Sequence, residues 1–187
     1  TQDKNGISPI HSAAYKGDAD IIDELIAVPG IYVNKTTNDG RTPLQFAANY
    51  NKLDAVKALL KYPAISVNDD GPDIDSPIHA ALYHNNWDIV LALIEHPKIN
   101  LEIKCSIGGT PLGIAAKKGN LDVVKALLEK GAKVDNLSTR KTPLYIASKE
   151  GHTDVVRVLL NGGANYNLVT SLDETPLYIA SKEGHTD

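Results

Sequence analysis

One short motif recurs along this chain of 187 residues, and it leaves few folds open. Ser or Thr, then Pro, then an aliphatic residue, occurs as Ser8-Pro9-Ile10, Thr42-Pro43-Leu44, Ser76-Pro77-Ile78, Thr110-Pro111-Leu112, Thr142-Pro143-Leu144 and Thr175-Pro176-Leu177. The prolines lie 34, 34, 34, 32 and 33 residues apart. Small residues follow each motif: Ala13-Ala14, Ala47-Ala48, Ala80-Ala81, Ala115-Ala116, Ala147-Ser148 and Ala180-Ser181. A period of this size belongs to arrays in which one supersecondary unit recurs and hides its apolar face only by stacking on its neighbours.

The motif has a local physical meaning. A hydroxyl before proline predicts a helix start, because the oxygen accepts a free N–H and proline at the first helical position lacks one. Gly17, Asn51, Asn85, Gly119, Gly151 and Gly184 are the predicted stops, being residues that tolerate left-handed backbone. A second helix then carries apolar residues at i, i+1, i+4 and i+5, such as Ile21, Ile22, Leu25 and Ile26, or Val123, Val124, Leu127 and Leu128. It ends at Pro29, Pro63, Pro97, Gly131 or Gly162-Gly163. The expected organisation is one domain of about six units, at 3–36, 37–70, 71–104, 105–136, 137–169 and a truncated 170–187.

On these residues the chain resembles the ankyrin-repeat family. Gly40-Arg41-Thr42-Pro43-Leu44-Gln45-Phe46-Ala47-Ala48 fits the family's opening, and Leu127-Leu128-Glu129-Lys130-Gly131-Ala132-Lys133-Val134-Asp135 its closing. The resemblance implies an all-α solenoid of helix pairs whose connecting loops project as short β-hairpin fingers beside a concave face. It also implies a module that binds other proteins. Three units depart from the pattern, with proline and one added residue at Val28-Pro29-Gly30-Ile31, Tyr62-Pro63-Ala64-Ile65 and His96-Pro97-Lys98-Ile99. The third finger, Asp69 to Asp75, lacks the usual glycine at Ile74. Residues 175–187 repeat 142–154 without a change, but no apolar second helix follows them, so a longer array is expected.

Catalytic and metal chemistry find little support. His11 and His79 occupy the family's histidine slot, where local structural hydrogen bonds are implied, while His152 and His185 follow the turn glycine. His84 and His96 lie outside the framework, and no zinc-type spacing is present. Cys105, the only cysteine, has no histidine close in sequence to activate it and reads as a finger thiol. The acidic run from Asp69 to Asp75 lacks the terminal glutamate and ligand order of a calcium loop. Gly108-Gly109 and Gly162-Gly163 are turn glycines outside any phosphate-loop pattern. Asn34 and Asn68 match asparagines that are hydroxylated in some family members, but tying successive fingers together is their preferred role here. No cofactor, no metal and no enzymatic activity are expected.

What remains is surface. A net charge of −4 and pI near 5.8 argue against a nucleic-acid binder, and no apolar run is long enough for direct membrane insertion. A single cysteine favours a cytoplasmic, reducing setting and a monomer. The family's contact slots fall on Tyr15, Lys16, Asn49, Tyr50, Tyr83, His84, Lys117, Lys118, Lys149 and Glu150, with Trp87 just beyond. Three tyrosines suit an anchoring ridge, since the ring covers much area at low entropic cost. Asn38, Arg41, Asp73 and Lys141 mark the finger tips as the alternative surface. Charge divides too: residues 1–102 carry eight Lys and Arg against fourteen Asp and Glu, and residues 103–187 carry eleven against nine. A non-catalytic protein-binding module is the leading expectation. A substrate-recruiting or tethering array of a larger enzyme, effector, toxin or channel is the alternative.

Overall fold

The computed structural model describes residues 2–69, 75–138 and 140–185. Residues 70–74, with Asp73 and Ile74 of the third finger, lie outside the described residues, as does the calcium reading of that loop. The chain divides into two units, Thr1–Ile99 and Asn100–Asp187. The first holds α1 (Pro9–Lys16), α2 (Ala19–Ala27), α3 (Pro43–Asn49), α4 (Leu53–Leu60), α5 (Pro77–Tyr83) and α6 (Trp87–Ile94). The second holds α7 (Pro111–Lys118), α8 (Leu121–Glu129), α9 (Pro143–Glu150), α10 (Thr153–Asn161) and α11 (Pro176–Lys182). Within each unit the contacts run between paired helices and between like helices of successive repeats, such as α1 with α3, α2 with α4, α7 with α9 and α9 with α11.

Every motif starts a helix. Pro9, Pro43, Pro77, Pro111, Pro143 and Pro176 each occupy the first helical turn. Thr42, Thr110, Thr142 and Thr175 accept from the backbone N–H three residues on, at 3.1–3.3 Å. All six predicted stops have positive φ, from 56° at Asn51 to 89° at Gly17. The N–H after each stop reaches back to an alanine carbonyl five residues earlier, Asp18 to Ala13 at 3.0 Å and His152 to Ala147 at 3.0 Å among them. This six-to-one bond satisfies a carbonyl that a helix end leaves open.

Second helices end in two ways. After α8 and α10 the glycine-containing ends repeat the six-to-one bond, Ala132 to Leu127 at 2.9 Å and Ala164 to Leu159 at 3.0 Å. After α2, α4 and α6 the proline insertions fold instead as four-residue turns, Ile31 N–H to Val28 at 3.2 Å, Ile65 to Tyr62 at 3.0 Å and Ile99 to His96 at 3.0 Å. Proline at the second position of such turns presets φ, so the added residue is absorbed locally.

The fingers are hydrogen-bonded turns. Asp3–Ile7, Thr37–Arg41, Cys105–Gly109 and Thr170–Glu174 each close with an N–H to carbonyl bond across five residues, at 2.9–3.1 Å. The finger at Ser138–Lys141 is one residue shorter, which accounts for the 32-residue spacing there. It makes the single β-bridge among the described residues, so the expected hairpins are reduced to one bridged pair. Asn34 and Asn68 take the preferred role: Asn34 donates to Ala64 O at 2.7 Å and accepts from Ser66 N at 2.9 Å, and Asn68 donates to Lys98 O at 2.7 Å.

A slot three residues after each hydroxyl ties repeats together by different chemistries. The Ser8 amide donates to His11 Nδ1, leaving Nε2–H to donate to the Arg41 carbonyl at 3.1 Å. Gln45 does the same with an amide, accepting from Thr42 N at 2.7 Å and donating to the Asp69 and Asp75 carbonyls at 2.9 and 3.1 Å. Gly113 leaves room for Ser138, whose side chain would lie 2.6 Å from an added Cβ and which accepts from Thr110 N at 3.3 Å. His152 and His185 add a second link, each lying over the preceding stop glycine and bonding Lys117 O at 3.0 Å and Lys149 O at 3.1 Å.

Burial follows the stacking. The α4 stripe Ala55, Val56 and Leu59 and the α6 stripe Ile89, Val90, Leu93 and Ile94 are buried. In α2 only Ile22 is, and Ile21, expected on the apolar stripe, is 48% exposed. In α11 only Pro176 and Ile179 are buried, leaving Leu177 79% exposed. Amides of α11 therefore exchange with solvent faster than those of α4 and α6, as hydrogen exchange read by mass spectrometry will show.

Burial also holds the His11 pKa below its ordinary value, so folding favours the neutral ring. Its contribution to stability is complete above about pH 6.5 and is lost as pH falls below that value. His11→Gln, which copies Gln45, keeps neutral-pH stability and reduces the loss of denaturation midpoint between neutral pH and about pH 5.

Candidate protein-binding surface

Five of the slot residues in the first unit come together: Tyr15, Asn49, Tyr50, Tyr83 and His84. Tyr15, near the end of α1, is 50% exposed and packs edge-on against Tyr50, which caps α3 and is 42% exposed, with ring centroids 4.6 Å apart at 78°. Such a pair adds about 0.5–1.5 kcal/mol beyond area burial. Phe46 extends the row, 6.2 Å from Tyr50 and 5.6 Å from the buried His11 ring in an edge arrangement. A cavity of about 180 Å³ opens beside this row, lined by Phe46, Asn49 and Tyr50 of the second repeat and by Asp75, Tyr83 and His84 of the third. A second, more open cavity that Phe46 also borders is lined by Ile7, Asn38 and Asp39. Finger and first helix thus form one continuous surface in this unit, so the two surfaces weighed from sequence are adjoining parts of one.

Phe46 was not among the expected contact residues. Within Thr-Pro-Leu-Gln-Phe-Ala-Ala it reads as filler, and only its position on the helix turn below Tyr50, four residues on, signals otherwise. Lys16 and His84 are exposed, and Asn49 and Tyr83 are half-buried. Trp87 is half-buried as the first residue of α6 and is not among the residues lining the cavity beside Tyr83. Arg41, at the finger, is held by Asp39 at 3.3 Å.

In the second unit the same slots give Lys117, Lys118, Lys149 and Glu150, all exposed at the C-terminal ends of α7 and α9. Cations there also suit the negative end of the helix dipole. Nearby, Tyr145 is 2% exposed and donates to Glu174 Oε2 at 2.6 Å, with Lys182 on Glu174 Oε1 at 3.1 Å and the Lys141 ammonium 5.4 Å above the Tyr145 ring. Burial first, then the bond to the carboxylate, pushes the Tyr145 hydroxyl up to about 12. The bonds from Tyr145 and Lys182 hold Glu174 below the usual carboxylate range. Tyr145→Phe therefore removes a phase near pH 12 from an ultraviolet tyrosinate titration.

Cys105 is buried, with Gly109 N–H directed at its sulfur at 3.0 Å, so the thiol closes its finger. Among the described residues no group of three or more His, Cys, Asp or Glu is placed to hold a metal ion, and no helix is long and apolar enough to cross a membrane.

Among the described residues eleven helices, packed in pairs up to α10 and stacked like on like within each unit, define an all-α repeat solenoid. A family model for ankyrin repeats (3 copies) matches residues 1–71, 65–138 and 134–187, and the chain belongs to that family. A crystal structure of an ankyrin repeat domain from Acinetobacter baumannii AYE is similar at 27% identity, over 95% of this chain and 92% of that one, with a TM-score of 0.86. No curated protein matches the sequence significantly. Ankyrin repeats are generally protein–protein interaction modules.

Proposed function

We propose that this array is a non-catalytic binding module that holds a protein partner on the concave face of its first helices and on the adjoining fingers. One observation carries the reading: Phe46, Tyr50 and Tyr83 line a side-chain-sized cavity, and Tyr15 packs on Tyr50 with half its surface open. Aromatic anchors at the centre of a patch with polar neighbours are what protein interfaces concentrate their energy on. In the second unit Lys117, Lys118 and Lys149 supply charge that steers association and sets its salt dependence. The module acts in the cytoplasm as a monomer and recruits its partner without a cofactor. A role as the recruiting or tethering arm of a larger enzyme, effector, toxin or channel uses the same surface.

Capture from a lysate of the source cell, followed by titration of the captured partner, tests this. Tyr50→Ala and Tyr83→Ala each weaken binding by about 2 kcal/mol, a loss of roughly thirtyfold. Tyr15→Ala costs less affinity and some stability through the lost edge contact with Tyr50. Lys117→Ala with Lys149→Ala leaves the dissociation rate near its starting value and flattens the salt dependence of association. Tyr50→Ala and Tyr83→Ala variants that keep full affinity would sink the proposal.

A further inference from the structure

We infer that the cavity between α3 and α5 is a receptor for one arginine side chain of the partner; this deepens the binding reading above and rests on it. Three aromatic rings stand in an otherwise largely polar lining: Phe46 and Tyr50 from one repeat and Tyr83 from the next. Faces of this kind attract a planar guanidinium both by stacking and through the ring quadrupole. The volume, about 180 Å³, suits a single long side chain rather than a helix or a strand. It opens to solvent, and Asp75 and Asn49 contribute to its lining.

Charge selects the sign of the guest. No lysine lines the cavity, and its one permanent cation, Arg41, is already engaged by Asp39 at 3.3 Å. The first unit carries eight Lys and Arg against thirteen Asp and Glu, a balance of −5, so a basic segment approaches down the field and an acidic one against it. Asp75 lines the cavity itself, whereas Asp39 stands on the neighbouring cavity that Phe46 also lines and is paired with Arg41. Gln45, whose amide is committed to two backbone carbonyls, fixes the floor rather than competing for the guest. A guanidinium here gains the aromatic faces and the acidic surround together.

Phe46 is the only phenylalanine in the chain, so selective ¹³C labelling of phenylalanine gives one unambiguous reporter inside the cavity. The full chain is titrated with N-acetyl-arginine methylamide, with the neutral isostere N-acetyl-citrulline methylamide, and with N-acetyl-glutamate methylamide. The expected result is saturable movement of the Phe46 ring signals with the arginine compound alone. Asp75→Asn and Tyr83→Ala each weaken that response about tenfold, with the helical circular dichroism unchanged. If Tyr83→Ala fails to fold, Asp75→Asn decides. Equal movement with citrulline, preference for glutamate, or no movement with any compound overturns the assignment. Loss of partner binding in the tyrosine variants without an arginine response would leave the binding surface standing and this pocket refuted.

Discussion

None of the helices exceeds nine residues, and an isolated helix of that length does not persist in water because its nucleus is too costly for the few bonds it gains. Everything else in the structure answers that constraint. Each first helix is given its start by a hydroxyl and a proline and its stop by a left-handed residue, so both ends are closed by local bonds. Alanines then allow close stacking, and side chains such as Gln45 and His152 fasten each repeat to the carbonyls of the next or the previous one. Caps decide where helices form; stacking decides that they stay formed.

That division explains what could be read in advance. Helix starts and stops depend on residues adjacent in sequence, and Thr42, Pro43 and Asn51 announce them without reference to anything distant. Slot residues whose partners lie one repeat away were legible as a position but not as a chemistry. Nothing in the sequence distinguishes the buried Tyr145, bonded to Glu174 29 positions on, from its counterpart Tyr178, which is 53% exposed. Ile21 failed as a stripe residue for the same reason, since the pattern shows which face is apolar and not whether anything covers it. Phe46 was passed over because a single aromatic in an apolar run has no local mark of exposure.

The two units present different surfaces. Rings beside a small cavity mark the first. Exposed lysines, whose charge acts at longer range than ring packing, mark the second. Under the proposed binding role, close fit falls to the first unit and the steering of encounter to the second.

Residues 142–154 and 175–187 are letter-for-letter the same, yet Leu144 is 1% exposed and Leu177 79%. An unfolded chain thus presents two indistinguishable first helices to the apolar second helix α10. Only the connections can tell them apart: the short bridged turn at Ser138–Lys141 ahead of the first copy, and the longer Thr170–Glu174 loop ahead of the second. Loops usually counted as passive spacers here carry the information that sets the reading frame of assembly. A change in their length would therefore threaten the order in which the pieces join before it weakened any one of them.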